Sequence, residues 1–67
     1  MKTKLRQFKG YSVKRNFLYK GKKPMRPISA KGGKSFYFLI VQDGFKYYFQ
    51  QKGLTSESEP FRIEAKE

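Results

Sequence analysis

The sequence predicts an all-β domain: a small antiparallel barrel or strongly bent sheet of four to five short strands, of SH3 or OB size, with at most one short helical turn. Three observations lead there. Apolar and polar residues alternate with a period of two along several stretches, the mark of half-buried strands. Glycine and proline break the chain at short intervals, as in "KGKKPMRP" (20–27), "AKGGK" (30–34) and "KGLTSESEP" (52–60). Asp43-Gly44 lies between two apolar runs, the strongest short-range hairpin signal because a type I′ turn needs positive φ at both central residues. The 67 residues read as a single domain, 1–67, and too few remain for a two-layer sandwich.

Residues 1–9 open with Lys2, Lys4 and Arg6 alternating with Thr3, Leu5 and Gln7, which suits an edge strand or a frayed basic arm. In "YSVKRNFLYK" (11–20), Tyr11, Val13, Phe17 and Tyr19 fall on odd positions. Arg15 and Leu18 break that pattern, so the strand is expected to bulge or end near Arg15–Asn16. "PISA" (27–30) reads as a short strand after Pro24 and Pro27, whose missing donors keep the preceding segment out of a sheet interior.

The main hairpin follows. A two-residue loop at Asp43-Gly44 sets Gln42 opposite Phe45, Val41 opposite Lys46, Ile40 opposite Tyr47, Leu39 opposite Tyr48, Phe38 opposite Phe49 and Tyr37 opposite Gln50. One face then carries Phe36, Phe38, Ile40, Phe45, Tyr47 and Phe49 and reads as core. The other carries Tyr37, Leu39, Val41, Lys46, Tyr48 and Gln50 and is mixed. "LTSES" (54–58) is the candidate helical turn, with Thr55 as its cap. "PFRIEAKE" (60–67) alternates again, with Phe61, Ile63 and Ala65 on one side and Arg62, Glu64 and Lys66 on the other.

Composition excludes whole classes of function. Cysteine and histidine are absent, so disulfide staples, thiol chemistry and the usual transition-metal sites are excluded, and no cofactor is called for. General acid–base work would fall to scattered carboxylates, and Asp43 is needed by its turn. "GGKS" (32–35) lacks the upstream glycine of a phosphate loop and precedes a strand. The expectation is a protein that is not an enzyme. No apolar run is long enough to cross a membrane as a helix, and no apolar stretch follows the basic start as in a secretory signal. A cytoplasmic location is the expectation, with no membrane partner.

Charge points to a partner. Sixteen basic and five acidic residues give a net charge of +11. All five acids lie after residue 42, and residues 1–42 hold twelve lysines and arginines without one carboxylate. Such a segment repels itself when compact, and a polyanion relieves the repulsion with release of its condensed counterions. DNA or RNA is the expected partner. The residues expected to bind are Lys20, Lys22, Lys23 and Arg26 in one loop, Lys31 and Lys34 beside Gly32-Gly33 in the next, Lys14 and Arg15 with Lys20 along the first strand, and Tyr37, Tyr48 and Lys46 on the mixed hairpin face. The cations suit phosphates, the glycine pair lets backbone approach closely, and the rings suit bases. "KSFYFLIV" (34–41) carries Ser35 and Tyr37 where the RNA-binding strand signature K-G-F-G-F-V-x-F has glycines, and no family is assigned from it. The rival expectation is an adaptor or small inhibitor docking on an acidic surface of a larger protein that processes nucleic acid.

Overall fold

The computed structural model describes residues 3–29, 32–33 and 35–65. Among these residues seven short strands run β1 (Tyr11–Lys14), β2 (Phe17–Lys20), β3 (Lys23–Pro24), β4 (Ile28–Ser29), β5 (Phe36–Gln42), β6 (Phe45–Gln50) and β7 (Arg62–Ala65). A 3-10 turn, Leu5–Gln7, precedes them. The strands form two antiparallel sheets, in the orders β1-β2-β3 and β4-β5-β6-β7. The all-β class therefore holds, while the strands divide between two sheets and no closed barrel forms among the described residues.

The main hairpin has the register that its turn dictates. Phe38 pairs with Phe49, Leu39 with Tyr48, Ile40 with Tyr47 and Val41 with Lys46. Asp43 and Gly44 hold φ of 51° and 81°, the left-handed pair that a type I′ turn requires. A second turn of the same sense lies at Arg15 and Asn16, with φ of 51° and 64°. It ends the first strand where the alternation falters. It also shifts the parity: Val13 pairs with Leu18 and Tyr11 with Lys20. Leu18 thus takes the core position that odd-numbered counting gave to Phe17 and Tyr19.

The core is Leu5, Phe8, Leu18, Phe38, Ile40, Phe49 and Leu54, with Tyr11, Val13, Met25 and Tyr47 packed around it. Three of the six residues assigned to the core face of the hairpin are buried. Phe36 and Phe45, at opposite ends of the hairpin, are each 44 % exposed. Their places are taken by Leu5 and Phe8 from the 3-10 turn and Leu54 from the loop after β6. Phe8 makes edge-to-face contacts with Tyr47 at 4.8 Å and Phe49 at 5.7 Å.

The segment expected as an edge strand or frayed arm is therefore, over its described residues, a docked turn. Two backbone bonds fix it: Leu5 N–H donates to Ser58 O at 2.8 Å and Arg6 N–H to Ser56 O at 2.9 Å. The helical turn expected at 54–58 is instead a tight β-turn, closed by Ser58 N–H to Thr55 O at 3.0 Å. Thr55 Oγ1 accepts from Glu57 N–H and Ser58 Oγ from Thr55 N–H, so the polar side chains satisfy the local backbone and no helix propagates.

Candidate nucleic-acid interface

The outer face of the four-stranded sheet carries three rows of side chains. Pairing sets Ile28, Tyr37 and Gln50 in the first, Leu39, Tyr48 and Arg62 in the second, and Val41, Lys46 and Glu64 in the third. Strand β7 pairs beside β6 and leaves this face open. Tyr37, Tyr48 and Lys46, expected together from the hairpin register alone, do lie together.

Phe61 joins them. Strict alternation sends it to the core side with Ile63, but β7 begins only at Arg62, so Phe61 is free of the strand's pleat. Its N–H donates to Tyr48 O at 2.8 Å. Its ring lies 6.1 Å from Tyr37 and 6.3 Å from Tyr48, whose own centroids are 5.6 Å apart. None of these pairs is a parallel stack: the interplanar angles run from 57° to 79°. The rings flank a groove of about 300 Å³ lined by Ser35, Phe36, Tyr37, Tyr48, Phe61 and Arg62, with Gln50 at its side.

Arg62 lies over the Tyr48 ring, its guanidinium carbon 5.3 Å from the centroid. The same guanidinium pairs with Glu64. Tyr48 donates its hydroxyl hydrogen to Glu64 Oε1 at 2.6 Å. That bond, with the neighbouring Arg62 charge, holds the Glu64 carboxyl below its ordinary range. It also raises the Tyr48 phenol above its own, because the carboxylate prefers the protonated hydroxyl. Arg62 and Phe61 join the candidates here, and neither is among the residues expected from the sequence. The signal for Arg62 was its position two residues before Glu64 on an edge strand; the displacement of Phe61 left none.

The cations fall into separate groups. Lys20 pairs directly with Lys23 across β2 and β3, and Lys22 sits in the turn between them, so three charges crowd one hairpin end. Lys14 and Arg15 sit at the opposite end of the first hairpin, since Lys14 pairs with Phe17 and Lys20 with Tyr11. The continuous stripe expected of Lys14, Arg15 and Lys20 is thus divided, and Lys20 shares the side of its sheet with Val13 and Leu18 rather than with Lys14. Arg26 is exposed in the link between the sheets. Lys31 and Lys34 lie outside the described residues; Gly32 and Gly33 between them hold positive φ with open space around them.

Two of the four carboxylates among the described residues, Glu57 and Glu64, are engaged elsewhere. Glu57 pairs with Lys4 at 3.0 Å and Arg6 at 3.2 Å, and the bond from Lys4 lowers its pKa. Glu64 pairs with Arg62. No ion pair among the described residues reaches Lys14, Arg15, Lys20, Lys22, Lys23 or Arg26. Nor does any cluster of three potential metal ligands form among them, and no helix there is long and apolar enough to cross a membrane. No protein-family model matches the chain, and no curated protein or solved structure matches it.

Proposed function

We propose that the chain is a small nucleic-acid-binding module that holds DNA or RNA mainly through phosphate contacts from its lysines and arginines, with aromatic stacking added. One observation carries this reading: six cations between residues 11 and 29 share that segment with no acid, and the ion pairs of Glu57 and Glu64 are made elsewhere. A charge cluster of this kind gains from a polyanion by counterion release. The open aromatic face with Lys46 and Arg62 adds a surface that bases can use.

The test is binding across a salt series. About five neutralised phosphates give a log–log slope of about −4.5 on duplex DNA and about −3.5 on single strands. Absence of binding at low salt, or binding indifferent to salt, defeats the proposal.

A second reading, an adaptor docking on an acidic protein surface, draws on the sheet edge. Strand β7 is an outer strand, and Ile63 on it is 52 % exposed, which suits addition to a partner sheet. A pull-down from nuclease-treated lysate separates the two: a stoichiometric protein that persists favours the adaptor, and partners that vanish favour nucleic acid.

A further inference from the structure

We infer that the module takes a single strand rather than a duplex, with an unstacked base seated in the groove between Tyr37, Phe61 and the Arg62 guanidinium. The inference rests on the nucleic-acid reading above and assigns the groove to it.

The geometry of the rings favours a base. Tyr37, Tyr48 and Phe61 surround one concavity, and none lies flat on another. Phe61 is 52 % exposed although it touches both tyrosines, so an apolar plane is left open at the groove wall. Arg62 already covers Tyr48, which leaves Tyr37 and Phe61 as the free stacking surfaces and the planar guanidinium as a third. Bases stack on aromatic rings and on arginine planes alike.

The polar groups fit the same ligand. Lys46 sits next to Tyr48 on the outer face and supplies a charge for a phosphate flanking the base. Gln50, opposite Tyr37, offers an amide that can donate to or accept from a base edge. Glu64 would repel a phosphate if it were free, but it is engaged by Tyr48 and Arg62.

A duplex does not satisfy this arrangement. Its base faces are already stacked on one another, and it presents its sugar-phosphate exterior to a protein surface. Against that exterior the three rings would remain unused.

Fluorescence anisotropy decides the matter with four probes of about ten nucleotides, within the span such grooves cover: single-stranded DNA, single-stranded RNA, the DNA strand with abasic sites throughout, and the DNA duplex. Tighter binding of an intact single strand than of the abasic strand and the duplex supports the inference, and the DNA and RNA arms show which sugar is preferred. Tyr37→Ala and Phe61→Ala should each weaken the intact strand about 5- to 150-fold, the value of one stacked base, and leave the abasic strand unchanged. Equal binding of abasic, duplex and intact probes overturns the inference while leaving the nucleic-acid reading in place; binding of none removes both. Should either variant fail to fold, ring-proton shifts of Tyr37 and Phe61 in the unaltered protein give the answer. Movement of these resonances on adding the bound single strand supports the base seat, and static resonances overturn it.

Discussion

Tyr48 and Glu64 are joined side chain to side chain across β6 and β7, hydroxyl to carboxylate, at 2.6 Å. Glu64 stands beside Lys46 and Tyr48 beside Arg62, so the bond runs diagonally across the ladder. It closes a small network on an edge strand that otherwise has little burial to hold it. The network has an opposite number in Glu57, which ties Lys4 and Arg6 to the loop after β6.

Both carboxylates titrate below their usual value near 4.5 in the folded state, Glu64 through the bond from Tyr48 and Glu57 through the bond from Lys4. A lowered carboxyl pKa stabilises the fold above the unfolded value and loses that contribution as pH falls through the folded one. Tyr48 runs the other way: its raised phenol stabilises below pH 10 and the effect is lost as pH climbs through its folded value. Urea midpoints should therefore decline on both flanks of a neutral plateau. Glu64→Gln should shrink both flanks, because it removes its own shift and the chief cause of the Tyr48 shift, and Glu57→Gln should shrink the acid flank alone. An unchanged profile in both variants refutes the assignment.

Phe8 should be among the costliest residues to truncate. It is 2 % exposed and packs edge-on against Tyr47 and Phe49. Phe8→Ala is expected to cost about 3–5 kcal/mol, a large part of what a domain this small has. Phe36→Ala, at a position 44 % exposed, should cost under about 1.5 kcal/mol. Chemical denaturation of the two variants side by side checks the contrast, and equal losses would place Phe36 in the core after all.

The turn at Arg15–Asn16 holds two non-glycine residues at positive φ. Arg15→Asn should stabilise by several tenths of a kcal/mol, since asparagine tolerates the left-handed region better. Asn16 has a second duty: its Nδ2 donates to Leu54 O at 3.0 Å and so links the first hairpin to the loop after β6. Asn16→Gly keeps the backbone angle and loses that bond, at about 0.5–1.5 kcal/mol. Asn16→Ala loses both and should be the worse of the two by about 1 kcal/mol. A thermal-melt series in which alanine matches glycine would show that the angle carries no strain.

Reversing Lys22, Lys23 and Arg26 to glutamate should abolish binding of nucleic acid without unfolding the domain. All three are exposed and have no ion-pair partner among the described residues, so their loss touches no packing. Gel shift and circular dichroism together check this. Binding retained by a folded variant would move the phosphate contacts to other cations.

The sequence resolved this fold best where a turn dictated it. The residues Asp43-Gly44 set the pairing of twelve neighbours, and with it the company of Tyr37, Tyr48 and Lys46 on one face. The Arg15–Asn16 turn announced itself only as a lapse in alternation, because arginine and asparagine are weak signals for left-handed backbone beside glycine. Burial was less legible. Alternation says which way a side chain points and not whether anything lies opposite, which is why Phe36 and Phe45 are exposed while Leu5 and Phe8, from a stretch with no strand, are buried. The same limit hid Phe61, since one residue outside the ladder escapes the period of two.

The bonds from Leu5 and Arg6 to Ser58 and Ser56 close a loop of about fifty residues, whereas the β1-β2 and β5-β6 hairpins each close over two. Local hairpins form within microseconds, and distant segments must wait for the chain between them to be ordered. The 3-10 turn should therefore dock last and leave first. Truncating Leu5 should accelerate unfolding and leave the folding rate nearly untouched, which makes this turn a latch on the lifetime of the native state.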